Sequence, residues 1–299
     1  MTDIEEKSFA SYRYRQPLPL KEPAWNTGSD AINWSPGNYS YQELPSGVYD
    51  LEMPWGAPPY LRRIQFATDS LLELPDDPST EVLKHIVEFW DKREAFEELG
   101  ITYKRGIILY GPPGSGKSVT IYRLANMLQR YNAIMLPCRS AGEATTALEI
   151  VKRLEPNRKV VVILEDIDGM ISRRGDEDLT YLLDGGTDVS NVLFIATTNY
   201  PDRIPPRVLN RPSRFDVRIE IGMPSEAARR AYIAHIVGEN LLVNIDELAS
   251  KTDGLSIAQI KEVIILTQIF ENSVDEAIGK VTSILKFTRN KEIQEKEAQ

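Results

Sequence analysis

One cysteine, Cys138, stands alone in 299 residues. That excludes an intrachain disulfide and fits a reducing compartment; a small buried hydrophobe at the end of a strand is its simplest role. Long apolar runs are missing too, so no segment is expected to insert directly into a bilayer. The opening stretch, MTDIEEKSFASYRYRQ, is charged and has no apolar core ahead of a cleavage site, so a signal peptide is not expected. Positive charge is in deficit, with 35 Lys and Arg against 44 Asp and Glu, a net charge of −9. This weighs against a protein whose main work is holding bare nucleic acid, although a local basic patch would survive it. There is no internal repeat. A soluble cytoplasmic chain of about two domains is the expectation, with 42% hydrophobic residues to build its cores.

What is present falls into regions. Residues 1–75 hold Trp25, Trp34 and Trp55 amid frequent proline, as in PLPLKEPAWNTGSD and MPWGAPPYLRR. Such punctuation excludes long helices, yet the aromatics are too many for a passive linker. Short strands such as GVYDLEM and LRRIQFA are expected, in a partner-binding arm or a structural wrap. From STEVLKHIVEFWDKREAFEELG the apolar residues recur at helical spacing, with Ser79 or Thr80 as the N-cap. Strand and helix patterns then alternate. RGIILYG, AIMLPC, VVVILE, NVLFIATT and VRIEIG read as strands; KSVTIYRLANMLQRY, ATTALEIVKRL and DLTYLLD read as helices. Apolar, β-branched strands in such alternation predict an α/β fold: a parallel sheet over 76–223 with helices on both faces. Only helical patterns follow, predicting a small all-helical domain over 224–287 and a charged tail over 288–299.

GPPGSGKS fits G-x-x-x-x-G-K-[ST] at every required position, between a strand and a helix. Gly111, Pro112, Pro113, Gly114, Ser115 and Gly116 would turn the backbone so that N–H groups face phosphate oxygens, ahead of Val119 and the helix. Lys117 would reach the β- and γ-phosphates of a bound nucleotide, and Ser118 would ligate Mg²⁺; the motif alone does not say which nucleotide or which reaction.

Later motifs resemble those of the AAA clade of AAA+ P-loop ATPases. ATTNYPDRIPPRVLNRPSRFD is similar to that family's second region of homology, and LLDG, FEELGITYKRGIILYGPPGSGKS and AARRAYIAHIV resemble their counterparts, in the family's order, over roughly residues 80–270. The resemblance implies that Asn199 positions the attacking water. It implies that Arg211 and Arg214 act as paired arginine fingers on a neighbouring subunit's γ-phosphate. It implies that His235 lies near the ribose and adenine, and that Ala258 lets the adenine pack closely. Departures from the family's pattern are Ile257 where glycine is usual, and Pro205 in place of an aspartate, with one extra residue before Arg211.

The strand VVVIL ends in Glu165 then Asp166, the reverse of the family's usual Asp–Glu. Alignment of EDID on DEID gives Glu165 the magnesium side and Asp166 the base position. A one-residue slip would put Asp166 on the metal, at the cost of flipping the strand's faces unless a bulge compensates. A base must come within about 2.6–3.2 Å of its water, which the shorter Asp166 side chain reaches if the sheet or the water shifts modestly; hydrolysis is expected, at a reduced rate. Between the second strand and this pair, CRSAGEATTALEIVKRLEPNRK has no aromatic residue, so threading by an aromatic pore loop is not expected. Arg173 and Arg174, in MISRRGDED, would occupy a second pore loop or simply a solvated one. The ED order and the absent aromatic loop resemble the mitochondrial Rieske-protein translocase type within the family.

The resemblance therefore implies a homo-oligomeric, hexamer-like ring that binds ATP and Mg²⁺ between subunits and remodels or translocates a macromolecular client. Protein is favoured over nucleic acid as client, with residues 1–75 available to an adaptor. The alternative is an ATP-gated assembly or scaffold with little hydrolysis. A P-loop small-molecule kinase is disfavoured by the arginine pair and the helical C-terminal region.

Overall fold

The computed structural model describes residues 43–65, 72, 74–238 and 244–283, with the backbone of 24–27 and 33–37. The side chains of Trp25 and Trp34, and the tail 288–299, lie outside the described residues. The chain begins with four strands, β1 (Ala24–Thr27), β2 (Asn33–Gly37), β3 (Gly47–Glu52) and β4 (Tyr60–Ile64), then helices α1 (Ser79–Trp90) and α2 (Arg93–Glu98). Alternation follows: β5 (Lys104–Tyr110), α3 (Lys117–Leu128), β6 (Ile134–Cys138), α4 (Ala141–Leu154), β7 (Val160–Leu164), α5 (Ile167–Arg174), α6 (Glu177–Leu183), β8 (Val192–Thr198), α7 (Pro206–Leu209) and β9 (Val217–Glu220). Helices α8 (Glu226–Val237), α9 (Ile245–Lys251) and α10 (Ile257–Gln268) end the series, with a further helical run over 274–283.

The strands form one nine-stranded sheet in the order β1-β2-β4-β3-β6-β7-β8-β5-β9. From β3 across to β9 every pairing is parallel, and β4, β2 and β1 extend the sheet antiparallel. This is the expected α/β architecture, and both anticipated N-terminal strands, β3 and β4, are part of it. β7 shows why its sequence does not alternate. Val160, Val162 and Leu164 pack against α4 and α6, while Val161 and Ile163 pack against α1 and α3. Both faces are buried, so both must be apolar. A third core, around Ile233, Leu248, Ile260 and Val263, belongs to the C-terminal helices.

Three expectations need correction. The run STEV…ELG is two helices, broken at Asp91–Lys92. In one straight helix Phe96 would lie about 10 Å along the axis from Phe89; the break folds it back to a ring–ring distance of 5.9 Å, beside Tyr103. Neither Ser79 nor Thr80 caps α1. Ser79 is its first helical residue, and Asp77 accepts from the Ser79 N–H at 3.0 Å and from its hydroxyl at 2.6 Å. Arg173 and Arg174 are not in a loop: they form the last turn of α5, a helix the sequence reading passed over.

Candidate functional site

Strand order reverses about β5, which sits between β8 and β9 while its successor β6 lies across the sheet. Such a reversal opens a crevice at the carboxyl ends of the strands, and here the glycine-rich turn fills it. Gly111, Gly114 and Gly116 have φ of 155°, 78° and 105°. A Cβ at Gly111 would lie 2.1 Å from the Ile221 carbonyl oxygen, so the backbone route itself requires glycine. Gly116 leads directly into the 12-residue helix α3, whose first N–H groups carry partial positive charge towards the turn. Lys117 curls over the turn, its Nζ donating to the carbonyls of Gly111 at 2.8 Å and Pro112 at 2.9 Å. It is only 7% exposed, and burial pulls its ammonium below the usual lysine range, opposed by the charges of Asp166 and Asp168. A partly desolvated cation with no carboxylate bonded to it among the described residues suits an incoming phosphate.

Beyond Ile163 the alternation of β7 continues onto the α3 face, and Glu165 arrives where Ser118 begins its helix. The Ser118 hydroxyl donates to Glu165 Oε2 at 3.0 Å. The register of β7 against β8 is continuous from Val160 to Leu164, with no bulge before the carboxylates. One hydroxyl and one carboxylate make an all-oxygen donor pair, which fits Mg²⁺ completed by phosphate oxygens and water. Asp166 leaves the strand in the left-handed region, at φ 51° and ψ 52°. Its N–H donates to Thr197 Oγ1 at 3.1 Å, and Asn199 Nδ2 donates to its Oδ1 at 3.4 Å. Thr198 Oγ1 donates to Asp168 Oδ1 at 2.7 Å. Thr197, Thr198 and Asp168 therefore fix Asp166 from behind. The sequence reading missed all three, although two hydroxyls closing an otherwise apolar strand were the available signal.

Arg211 and Arg214 lie at the other end of β5. The Arg214 carbonyl oxygen would sit 1.7 Å from a Cβ at Gly106, so this glycine admits the arginine-bearing loop onto the strand. From Gly106 to Gly111 the strand rises about 16 Å, further than an arginine side chain extends. Both guanidiniums converge on Asp184. Arg214 is bidentate, with Nε and Nη2 at 2.9 and 2.8 Å, and its side chain is 3% exposed. Arg211 binds Asp184 Oδ2 at 2.9 Å and is 62% exposed. Hydrogen bonds from Arg214 hold the Asp184 carboxyl below the usual range, against the opposing effect of burial. The LLDG motif contains this aspartate, but the motif alone does not reveal its pairing with both arginines.

His235 and Ala258 are exposed, on the last turn of α8 and the first turn of α10. Among the described residues no hydrogen bond ties His235 to the turn. Ala258 lies nearer: the residue that caps α10, Ser256, has its Oγ 2.9 Å from where a Cβ at Gly114 would be. Val119, behind Ser118, is exposed on α3.

Comparison with known proteins agrees with this geometry. Residues 107–223 match the family model described as "ATPase family associated with various cellular activities (AAA)". The chain is 30% identical over 203 residues to the ATP-dependent zinc metalloprotease FtsH 2 of Sphaerobacter thermophilus, covering 62% of this chain and 31% of the relative. It is 32% identical to the cell division cycle protein 48 homolog of Archaeoglobus fulgidus, covering 56% and 25%. It is 33% identical to the proteasome-activating nucleotidase of Methanothermobacter thermautotrophicus, covering 58% and 47%. The chain thus spans between a quarter and a half of the length of these relatives.

Proposed function

We propose that this chain, which carries an AAA ATPase domain over residues 107–223, hydrolyses ATP as a subunit of a homo-oligomeric ring and uses the reaction to remodel a protein client. The observation that carries the reading is the placement along β5. The phosphate cradle and its carboxylates stand at one end, and two arginines stand at the other, too far to serve the same cradle. Arginines so placed complete a site only on a neighbouring copy.

In this reading the turn from Gly111 to Gly116 and Lys117 hold the phosphates, and Ser118 and Glu165 would hold Mg²⁺, which neutralises phosphate charge when bound. Asp166 accepts the proton of the attacking water as the phosphoanhydride bond breaks. Asn199, already bonded to Asp166, orients that water. Arg211, exposed and held by one contact to Asp184, swings from it to meet the neighbour's γ-phosphate, while Arg214 anchors its loop through its bidentate pair with Asp184. Ala258 and His235 border the base from the helical region. A protein client is the reading supported by the relatives, two of which are named for proteolysis or the proteasome.

One observation favours the second reading, an ATP-gated scaffold: Asp166 is a methylene shorter than the glutamate usual in the family. The deciding measurement is specific ATPase activity against protein concentration. A rise per subunit as copies meet supports the trans site; tight ATP binding with no turnover at any concentration, with or without a client, supports the scaffold.

A further inference from the structure

The hairpin from β3 to β4 pairs last at Glu52 and Tyr60 and is closed by seven residues, MPWGAPP. Because β3 runs parallel to β6, this tip stands beyond the carboxyl edge of the sheet, reaching about 10 Å past the last pair. Six consecutive residues, Met53 to Pro58, are exposed, and no side chain from Met53 to Leu61 is charged. Trp55 is 102% exposed, the fullest exposure of any large apolar side chain among the described residues, and Met53 is exposed beside it.

The tip is also stiff. The Ala57 N–H donates to the Pro54 carbonyl at 3.4 Å, closing a turn with Gly56 at φ 73° in its third position. Trp55 occupies the corner of that turn, and three prolines fix φ around it. Pro54, Pro58 and Pro59 bring no N–H, and that of Ala57 is already used, so the tip loses few bonds to water on entering an apolar medium. At its base Arg62 binds Glu52 at 2.6 Å, and Asp50 lies 3.5 Å from Arg62 and 3.1 Å from Arg139. Two cations and two carboxylates thus form a matched polar collar below an uncharged tip.

We infer that the β3–β4 tip seats in the interface of a lipid bilayer, with Trp55 and Met53 among the upper acyl chains and the collar of Arg62 and Glu52 at the headgroups. Tryptophan suits that depth, having an apolar body and one N–H that stays near water. The reach of the tip matches the depth of about 5–10 Å that interfacial segments occupy. This is a docked hairpin and not a span; among the described residues no helix is long and apolar enough to cross a membrane. A protein partner fits less well on two counts. A standard interface engages about 20–30 residues a side, against the six exposed here. The matched collar also leaves no surplus charge to steer or select a partner. A bilayer requires neither complementary shape nor charge.

The test is flotation of the full chain with phosphatidylcholine vesicles. Trp55→Ser is compared with Leu99→Ser, which removes another exposed apolar side chain, ahead of β5. Partitioning is expected to fall about tenfold or more in Trp55→Ser, as loss of one inserted large side chain implies, and under about twofold in Leu99→Ser. Raising salt from ~0.1 to ~1 M shortens the Debye length from about 10 to about 3 Å and should leave binding in place. Location is read separately. Cys138 is buried, so Ala57→Cys offers one accessible thiol for an environment-sensitive fluorophore. On vesicles its emission should shift to the blue and be quenched by lipids nitroxide-labelled near the headgroup, and the same label at Leu99→Cys should show neither change. Absence of flotation, equal loss in both serine variants, or release by salt overturns the inference. So does self-association that disappears in Trp55→Ser while vesicles are ignored, which would place the tip between copies of the chain.

Discussion

At the carboxyl end of β5 the chain turns through three glycines with positive φ, and among the described residues Lys117 donates to two backbone carbonyls and a serine hydroxyl. At the amino end, Arg211 and Arg214 share Asp184, and Lys104 donates to the Leu183 carbonyl. Among the described residues no carboxylate bonds to Lys117 at the first end, although Asp166 and Asp168 act on it from further away. The second is internally neutralised. In the proposed reading, the difference is what a shared site would require: one half would wait for an anion, while the other would keep its cations in place until a neighbour's phosphate arrives. Arg214 is locked away and Arg211 is not, so the second half divides again into an anchor and a reaching group.

The strongest way to break this comparison is Arg211→Ala. Loss of an arginine finger costs on the order of 10³-fold in turnover, with nucleotide affinity unchanged because the cradle of the same copy is untouched. Asp166→Asn should cost about 10²–10³-fold, again without loss of binding. Mixing the two variants sharpens the point. In a random mixture about a quarter of the interfaces combine an intact cradle with an intact arginine, so activity should recover towards that fraction. Failure to recover would mean that both residues serve one copy.

Asp184→Asn probes the anchor. Removing one partner of a buried pair costs about 3–5 kcal/mol, but Asp184 is 38% exposed, so about 2 kcal/mol is the expected loss after screening. Urea unfolding measures it. The pH dependence has a definite sign. The Asp184 carboxyl is depressed in the folded state by Arg214, so its contribution is present above the ordinary carboxyl value near pH ~4 and lost as pH falls through the folded value. Wild type and variant should therefore converge in acid. A constant gap down to low pH would show that Asp184 stabilises through something other than its charge.

The contrast also explains what was legible in the sequence. The cradle was readable because local backbone demands, glycine at positive φ followed by a helix start, leave a fixed spacing. The strands were readable because burial on both faces forces apolar runs. The neutralised end was not, since Asp184 meets Arg214 only after the chain has passed through β8 and α7. Helix α5 escaped notice because its eight residues, IDGMISRR, mix polar side chains with a glycine and show little periodicity. The break between α1 and α2 was hidden for a related reason: Phe96 keeps the helical spacing and is drawn elsewhere by Phe89 and Tyr103.

The smallest effect concerns the order of the carboxylates. Position 166 is left-handed, at φ 51°, and aspartate is several-fold enriched there among residues other than glycine. Glutamate lacks the short side chain that bonds locally and tolerates this geometry. Glu165 faces Ser118 at 3.0 Å from an ordinary strand end, where a longer side chain is accommodated. The reversed order therefore follows the backbone. Exchanging the pair, Glu165→Asp with Asp166→Glu, should lower stability by about 0.5–1 kcal/mol, a melting shift of about 1–4 °C for a domain of this size. Asp166→Glu alone should carry most of that loss, and Glu165→Asp alone little. If the two single substitutions cost the same, the left-handed turn does not set the order, and the carboxylates are distinguished only by what they bind.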